Sequence, residues 1–241
     1  MALRDALRRQ FCSGLQAMRT PYHGKGKVLL EEHLPSGDAM QVFKHWFEEV
    51  KGNPSVIEPN AMCLATVNKE GFPSCRMVLC KGYSPDGFKF FTHYTSRKGQ
   101  DLEANDNAAA TFYWAAISRS VRIEGKVEKL PMREAEEYFR QRPHSSQIGA
   151  LLSDQSKPVA GREALVRIEK ELSGKYGTVV PKPEKWGGYV LKPTTIEFWQ
   201  GQTDRIHDRI QFIKSSSQQQ QPDNKILFQG ENGWMYQRLA P

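Results

Sequence analysis

The feature that most constrains this chain is a series of short, mostly apolar segments, each bounded by turn-forming residues. A-M-C-L-A-T-V-N and P-S-C-R-M-V-L-C-K-G-Y flank a turn at Lys69-Glu70-Gly71, an arrangement that predicts a β-hairpin. Ser84-Pro85-Asp86-Gly87 favours a second turn, before F-K-F-F-T-H. Two more strand segments follow, A-A-T-F-Y-W-A and S-V-R-I-E-G-K-V-E-K-L.

Helical patterns interrupt and flank these strands. Helices are predicted at 38–52, after Ser96, at 131–142, at 145–152 and over the stripe Leu165, Ile168, Leu172 and Tyr176. Later strands are predicted at 188–191, 195–199, 205–213, 225–229 and 234–238, with a Gln-rich polar loop at 215–222. About six central antiparallel strands with flanking helices predict a mainly β, α+β fold around a closed or partly closed barrel. No linker interrupts residues 36–241, which we expect to form a single domain after a mobile segment at 1–35.

The charge balance favours an anionic ligand. Lys and Arg number 34 against 27 acidic residues, so the net charge is +7. Because the basic residues are dispersed along the chain, this excess favours small anions over nucleic acid or a membrane surface. No apolar run approaches the roughly 20 residues that a membrane span needs.

The cysteines and the N-terminus bear on the compartment. The four cysteines form no C-x-x-C pair and have no histidine at metal-ligand spacing, which predicts reduced thiols, no metal site and a cytoplasmic protein. Residues 1–19 carry four arginines and one acid, and so faintly resemble a mitochondrial presequence. We favour a mobile N-terminal helix for them.

The stretch E-F-W-Q-G-Q-T-D-R-I-H-D-R at 197–209 is the strongest candidate for a site. In an extended strand, Arg205, His207 and Arg209 would share one face and Ile206 the other. Two guanidiniums and an imidazole near the Trp199 indole suit a flat, anionic ligand. The alternative is a solvated strand face whose charges pair with Asp204 and Asp208.

Arg97 and Lys98 break a rule of helix composition. Cations in the first turn of a helix oppose its dipole, so this pair predicts an anion bound at the N-terminus that follows Ser96. The alternative is an exposed pair that costs a few tenths of a kcal/mol.

A second anion site is predicted around Tyr138 and Arg142, four residues apart on one helix face. Pro143 then leads to the hydroxyls of Ser145 and Ser146 at a new helix start. Alternatively, Arg142 pairs with the acidic residues at 134–137 of its own helix. Lys81, in an otherwise apolar strand, needs either an anion or an exposed edge.

Several catalytic motifs are absent from the sequence, among them G-x-G-x-x-G, G-K-[ST] and H-E-x-x-H. No nucleophile–base pair stands out either. A site rich in Arg, Lys and aromatic residues without such a pair suggests that a cofactor supplies the chemistry.

From about Met18 to Pro241 the chain resembles the pyridoxine (pyridoxamine) 5′-phosphate oxidases. The motifs that carry the resemblance are R-M-V-L-C-K-G, F-F-T-H-Y-T-S-R-K-G, V-R-I-E-G, Y-F-R-Q-R-P-H-S-S-Q-I-G, S-D-Q-S, W-G-G-Y, E-F-W-Q-G-Q-T-D-R-I-H-D-R and R-L-A-P. The resemblance implies a six-stranded antiparallel split β-barrel and a homodimer with FMN at the subunit interface.

The resemblance also implies roles for individual residues. Those implied to hold FMN are Arg76, Met77, Val78, Leu79, Phe91, Thr92, Arg97, Lys98, Gln155, Ser156, Trp199 and Arg209. Those implied to bind substrate are Lys81, Tyr138, Arg142 and Ser146 at the phosphate, Arg205, Ile206 and His207 at the ring, and Arg19 and Tyr22 in a closing N-terminal segment. Arg205 and His207 are the implied catalytic residues. Ser120 stands where family members usually carry Gln, so its implied flavin contact is the one departure inside a motif.

The implied reaction transfers a hydride from the 4′ carbon of pyridoxine or pyridoxamine 5′-phosphate to flavin N5. Dioxygen reoxidises the flavin and gives hydrogen peroxide, with pyridoxal 5′-phosphate as product. Two alternatives stay open: a non-catalytic flavin- or pyridoxal-phosphate-binding protein on the same barrel, and a basic nucleic-acid binder. The second predicts a clustered basic stripe, which the sequence lacks.

Overall fold

The computed structural model describes residues 18, 22, 28–215 and 222–241. The strands are β1 (Ala61–Val67), β2 (Pro73–Leu79), β3 (Gly82–Ser84), β4 (Gly87–His93), β5 (Asn107–Trp114), β6 (Arg119–Lys129), β7 (Trp186–Gln200), β8 (Asp208–Lys214), β9 (Leu227–Gln229) and β10 (Trp234–Arg238). The α-helices are α1 (Ala39–Lys51), α2 (Arg97–Ala104), α3 (Met132–Gln141), α4 (His144–Leu152) and α5 (Arg162–Lys175), and a short 3-10 helix spans Glu31–His33.

The described strands form a single antiparallel sheet in the order β2-β1-β5-β6-β7-β8-β10-β9, with β4 joining β3 to β7. The mainly β, α+β class and the hairpin of β1 with β2 are therefore confirmed. The described part of the sheet has ten strands, which include short ones such as β3 and β9 besides the central strands, and its closure into a barrel stays a prediction.

The predicted break between strands at 188–191 and 195–199 is wrong. β7 runs through Pro193, because the pairing with β6 shifts register there: Glu124 faces Thr195, whereas Gly125 faces Pro193. Thr194 is thus an extra residue, and a bulge tolerates a proline that has no N–H to donate. A side chain at Gly125 would meet the Lys192 carbonyl oxygen at 2.0 Å, so this close approach requires glycine.

Two apolar clusters support the sheet. In the larger one, α1 packs Phe43 and Trp46 against rings of the strands, with Trp46 and Phe198 centred 5.1 Å apart. The smaller one joins α3 and α4 to the first residue of β7 through Phe139, Ile148 and Trp186. This second cluster positions the residues that follow α3.

Side-chain caps account for the starts of α1 and α2. The Asp38 carboxylate accepts the Met40 N–H at 2.8 Å before α1, and the Ser96 hydroxyl accepts the Gly99 N–H at 3.3 Å before α2. No helix of the described residues is long and apolar enough to cross a membrane. The expected N-terminal helix, except Met18, lies outside the described residues, as do residues 216–221 of the Gln-rich loop.

Candidate functional site

Lys98, in the first turn of α2, is a buried cation. Its side chain is 8% exposed, and its Nζ donates to Thr92 Oγ1 at 3.1 Å and to Gln155 Oε1 at 2.8 Å. Among the described residues it has no carboxylate partner. Burial, with a smaller contribution from the Arg76 guanidinium, lowers the pKa of Lys98 to about 8. A buried ammonium that makes only neutral hydrogen bonds is a strong candidate for binding an anion.

Arg76 adds a second cation beside Lys98. It donates to Thr66 Oγ1 at 2.7 Å and lies 3.8 Å from the Asp101 carboxylate. Burial lowers the pKa of Arg76, and Arg97 acts in the same direction. We call Arg76, Thr92, Arg97, Lys98 and Gln155 the Lys98 cluster; the helix start predicted as an anion site therefore lies beside a third cation from β2.

Arg142 forms the second cationic centre. Its guanidinium carbon lies 4.9 Å from the centre of the Trp186 ring, and its Nη1 is buried without a hydrogen-bond partner in the described structure. Burial lowers the pKa of Arg142. The alternative that Arg142 pairs with its own helix is wrong, because Glu134 pairs with Lys89 and Glu137 with Arg133.

Aromatic rings surround this guanidinium. Tyr138 stacks on Phe91 at 4.1 Å between ring centres, and Phe91 stacks on Trp186 at 5.5 Å. We call Phe91, Tyr138, Arg142 and Trp186 the Arg142 pocket. It lies near the Lys98 cluster, because the charges of both Lys98 and Arg142 act on the buried His93 imidazole. Burial, followed by the charges of Lys185, Lys98 and Arg142, lowers the pKa of His93 to about 4. Three cations therefore act on this histidine against a single carboxylate, that of Asp154.

Other residues were predicted to bind FMN or substrate beside the Lys98 cluster and the Arg142 pocket. Met77, Val78 and Leu79 complete β2, Ser156 follows Gln155 with a φ of 74°, and Ser146 lies in the first turn of α4. Lys81 is exposed and follows the end of β2, so its charge is solvated in the chain alone, and its anion-binding role stays a prediction.

The Trp199 cleft lies on another part of the sheet and has a volume of about 420 Å³. Its lining residues are Tyr22, Thr111, Tyr113, Ser120, Arg122, Glu197, Trp199, Arg209 and Pro241. Three of the predicted flavin residues, Ser120, Trp199 and Arg209, thus meet in one cleft. Ser120 faces Trp199 across β6 and β7, and Trp199 faces Arg209 across β7 and β8.

Glu197 organises the cations of this cleft. Its carboxylate accepts from Arg209 Nε at 2.7 Å and from Arg122 Nη2 at 2.5 Å. Burial alone would raise the pKa of Glu197, but the hydrogen bonds from these two guanidiniums hold it below its usual value. Arg122 and Glu197 are residues of this site that the sequence prediction did not assign.

The predicted strand at 205–213 is wrong in its first three residues, because β8 begins at Asp208. Asp204 Oδ1 accepts the Ile206 N–H at 2.9 Å, and Arg205 adopts a left-handed φ of 69° between them. Arg205, His207 and Arg209 therefore do not share the face of one strand. The alternative of a strand face whose charges pair with Asp208 is also wrong for that residue, since Asp208 pairs with Arg238 at 2.8 Å and Arg209 pairs with Glu197.

The loop nevertheless brings His207 to the cleft. The centre of its ring lies 5.2 Å from the Trp199 ring and 5.2 Å from the Tyr22 ring. Tyr22 also meets Trp199 edge-on at 5.5 Å. Arg205 and Ile206 are exposed, and the predicted partner Arg19 lies outside the described residues.

The two groups of site residues lie at opposite ends of β7. Trp186 begins this strand in the Arg142 pocket, and Trp199 is thirteen residues further along it. At about 3.3 Å per residue this is at most roughly 43 Å of chain, and the bulge at Thr194 shortens it. Each chain therefore carries two separated parts of the predicted site.

Two protein-family models match consecutive stretches of this chain. A model described as "Pyridoxamine 5'-phosphate oxidase" matches residues 48–173, and one described as "Pyridoxine 5'-phosphate oxidase C-terminal dimerisation region" matches residues 186–241. The chain belongs to the pyridoxamine 5′-phosphate oxidase family.

Relatives within this family are similar over nearly their whole length. A pyridoxine/pyridoxamine 5'-phosphate oxidase of Bombyx mori is 52% identical over 93% of this chain and 88% of its own. A pyridoxine-5'-phosphate oxidase of Bos taurus is 48% identical over 99% of this chain and 92% of its own. Among solved structures, PhzG from Burkholderia lata 383 has a TM-score of 0.78 at 28% identity, covering 90% of this chain and 100% of that one.

Proposed function

We propose that this member of the family is a pyridoxine/pyridoxamine 5′-phosphate oxidase that uses FMN and dioxygen. The observation that carries the proposal is the presence of two neighbouring cationic centres without a carboxylate partner in the described structure: the buried Lys98, and Arg142, whose Nη1 is buried without a hydrogen-bond partner. Flavin mononucleotide and the substrate each bring one phosphate, so two such centres are needed. The relatives from Bombyx mori and Bos taurus carry names for this activity.

The residues of the chain fit FMN. The Lys98 cluster offers an ammonium and two guanidiniums to a phosphate, at a helix start whose free N–H groups also favour an anion. The Trp199 cleft offers an indole, the Arg209 fork and the Ser120 hydroxyl, which suit the ring system of a flavin. When bound, FMN would supply the acceptor for a hydride from the substrate 4′ carbon and the route for those electrons to dioxygen, which would become hydrogen peroxide.

The chain's own residues supply binding and orientation. Arg142, with Tyr138, Ser146 and Lys81, holds the substrate phosphate, and the aromatic walls of the Arg142 pocket keep water from that ion pair. Arg205, Ile206 and His207 contact the substrate ring, where Arg205 and His207 polarise its substituents. Fixing the phosphate and the ring at once restricts the substrate to one orientation, which is the main catalytic contribution of the protein.

The working unit of this proposal is a homodimer in which each site draws on both chains. The separation of the two parts along β7 supports it, as does the match to a dimerisation region. Met77 is 64% exposed and Tyr113 is 61% exposed. Met77 faces Cys63, and Cys63 faces Thr111 of the Trp199 cleft, so this apolar surface continues the cleft across the sheet. A second copy that covered it would bring its own Lys98 cluster to the cleft.

Mixing two inactive variants tests the shared site. Lys98→Ala removes a residue from one part and Arg209→Ala from the other, so neither homodimer should bind flavin well. After unfolding and refolding together, heterodimers would contain one doubly altered site and one intact site, and activity should return to roughly a quarter of wild type. No recovery, in a mixture shown to contain heterodimers, would mean that each site is built from one chain.

The catalytic proposal is separated from a non-catalytic binding protein by one assay. The purified protein should be yellow, and adding pyridoxine 5′-phosphate or pyridoxamine 5′-phosphate in air should produce hydrogen peroxide and pyridoxal 5′-phosphate in equal amounts. Yellow protein without peroxide would favour the binding protein.

Residues 1–35 act as a lid in this proposal. The contacts of Tyr22 with Trp199 and His207 support it, because they place one residue of that segment over the cleft. A cytoplasmic location and the absence of nucleic-acid and membrane partners stay predictions from composition.

A further inference from the structure

Asp208, the first residue of β8, is a buried carboxylate that joins three parts of the chain. It is 5% exposed, and its Oδ1 accepts from Arg238 of β10 at 2.8 Å. Its Oδ2 accepts from the Leu29 N–H at 3.1 Å and from Gln202 Nε2 at 2.6 Å. Charge-assisted hydrogen bonds of this kind are among the strong ones in proteins. Asp208 therefore anchors the loop at 201–207 to the last strand and to the N-terminal segment.

Gln202 links the Asp208 carboxylate to the His207 ring through two hydrogen bonds. Its backbone N–H donates to His207 Nδ1 at 3.0 Å, while its side chain is held by Asp208. A ring nitrogen that accepts a hydrogen bond cannot carry a proton, so the neutral imidazole carries its proton on Nε2. The edge-on contact with Tyr22 limits rotation of the same ring.

We infer that Asp208 is a positioning residue, which acts through Gln202 to hold His207 as the Nε2–H tautomer. In this arrangement His207 donates a hydrogen bond to an acceptor atom on the substrate ring and does not take up a proton from the substrate. The inference rests on the proposed substrate role of His207.

Two variants and a matched control test it in the flavin-loaded protein. Asp208→Asn should lower kcat/KM about 10- to 100-fold, as expected for a lost hydrogen bond to a charged group, and Gln202→Ala should lower it less. Bound FMN should stay unchanged in both. Asp38→Asn is the control: Asp38 is also a buried aspartate, 4% exposed, but it accepts from the Met40 N–H and from Asn232 Nδ2, each at 2.8 Å, and so lies outside the hydrogen bonds of the loop at 201–207. It should leave kcat/KM unchanged.

A nitrogen-15 spectrum of the histidine rings gives a readout independent of activity. At about pH 8, where a free imidazole is neutral, His207 of the wild type should show a proton on Nε2 alone. Asp208→Asn and Gln202→Ala should give a mixture of tautomers, a change that lost stability by itself would not produce. If Asp208→Asn does not fold, Gln202→Ala decides the test, because it alters only a partly exposed loop side chain.

The outcomes separate this inference from the proposed function. If His207→Gln loses kcat/KM while the Asp208 and Gln202 variants keep both kcat/KM and a single tautomer, the inference is overturned and the oxidase proposal stands. If His207→Gln keeps full kcat/KM, His207 has no substrate role and the inference fails with it. Absence of peroxide formation by the wild type would instead refute the oxidase proposal.

Discussion

Replacing Lys98 with methionine should weaken flavin binding and at the same time stabilise the flavin-free protein. Lys98 is buried, and its ammonium makes hydrogen bonds only to neutral groups among the described residues. Methionine has a similar length and no charge, so it removes the cost of burying the ammonium and also removes the proposed partner of the FMN phosphate.

The expected gain in unfolding free energy follows from the pKa of Lys98, which burial lowers from 10.5 to about 8. Each unit corresponds to about 1.4 kcal/mol, so the buried cation costs the flavin-free fold roughly 3 kcal/mol at neutral pH. The two hydrogen bonds to Thr92 and Gln155 that the variant loses, at about 0.5–1.5 kcal/mol each, offset about 1–3 kcal/mol of this gain. A charge-assisted bond to phosphate is worth about 1.5–3 kcal/mol, so FMN affinity should fall about 10- to 100-fold.

The pH dependence gives the sharper test. Because the pKa of Lys98 is lower in the folded than in the unfolded chain, the unfolded chain binds more protons between pH 8 and 10.5, and wild-type stability gains over this range. The difference in unfolding free energy between Lys98→Met and wild type should therefore fall by about 2 kcal/mol between pH 7 and pH 9.5. Urea unfolding of both flavin-free proteins measures it.

Lys170→Met is the matched control, since Lys170 is exposed on α5. It should change neither FMN affinity nor the pH dependence of the unfolding free energy. If Lys98→Met destabilised the flavin-free protein by the same amount at both pH values, the argument from the buried cation would be refuted. Unchanged FMN affinity would separately remove the phosphate assignment.

Three further predictions concern the Trp199 cleft. Glu197→Gln should release the Arg209 fork and weaken FMN binding about tenfold, measured by titration of flavin-free protein; unchanged affinity would show that Arg209 does not depend on this carboxylate. Arg205→Ala should lower kcat/KM with FMN retained, whereas Arg209→Ala should lose FMN, and the reverse pattern in flavin content and kinetics would refute this division of roles. Ser120→Gln should tighten FMN binding by no more than about tenfold without changing the products, and weaker binding would mean that the shorter side chain is already compensated in the cleft.

Local chemistry allowed much of this protein to be predicted from its sequence. The hairpin of β1 and β2, the N-caps at Asp38 and Ser96, and the boundaries of α3 at Pro131 and Pro143 depend on residues within about four positions of each other. The two cationic centres were predictable for a related reason. Lys98 opposes the dipole of its own helix, and such a conflict between residue and position is visible in the sequence.

The tertiary structure decided the features that depend on distant partners. β7 continues through Pro193 because Gly125, on the neighbouring strand, leaves room for the bulge. Arg209 pairs with Glu197 rather than with the adjacent Asp208, because the register of β7 and β8 brings Glu197 to it while Arg238 comes to Asp208 from β10. Alternation at 205–209 predicted a strand, but a strand also requires a paired neighbour. Residues 205–207 have no paired strand beside them in the described sheet. They form a turn instead, which the Asp204 side chain stabilises by accepting the Ile206 N–H.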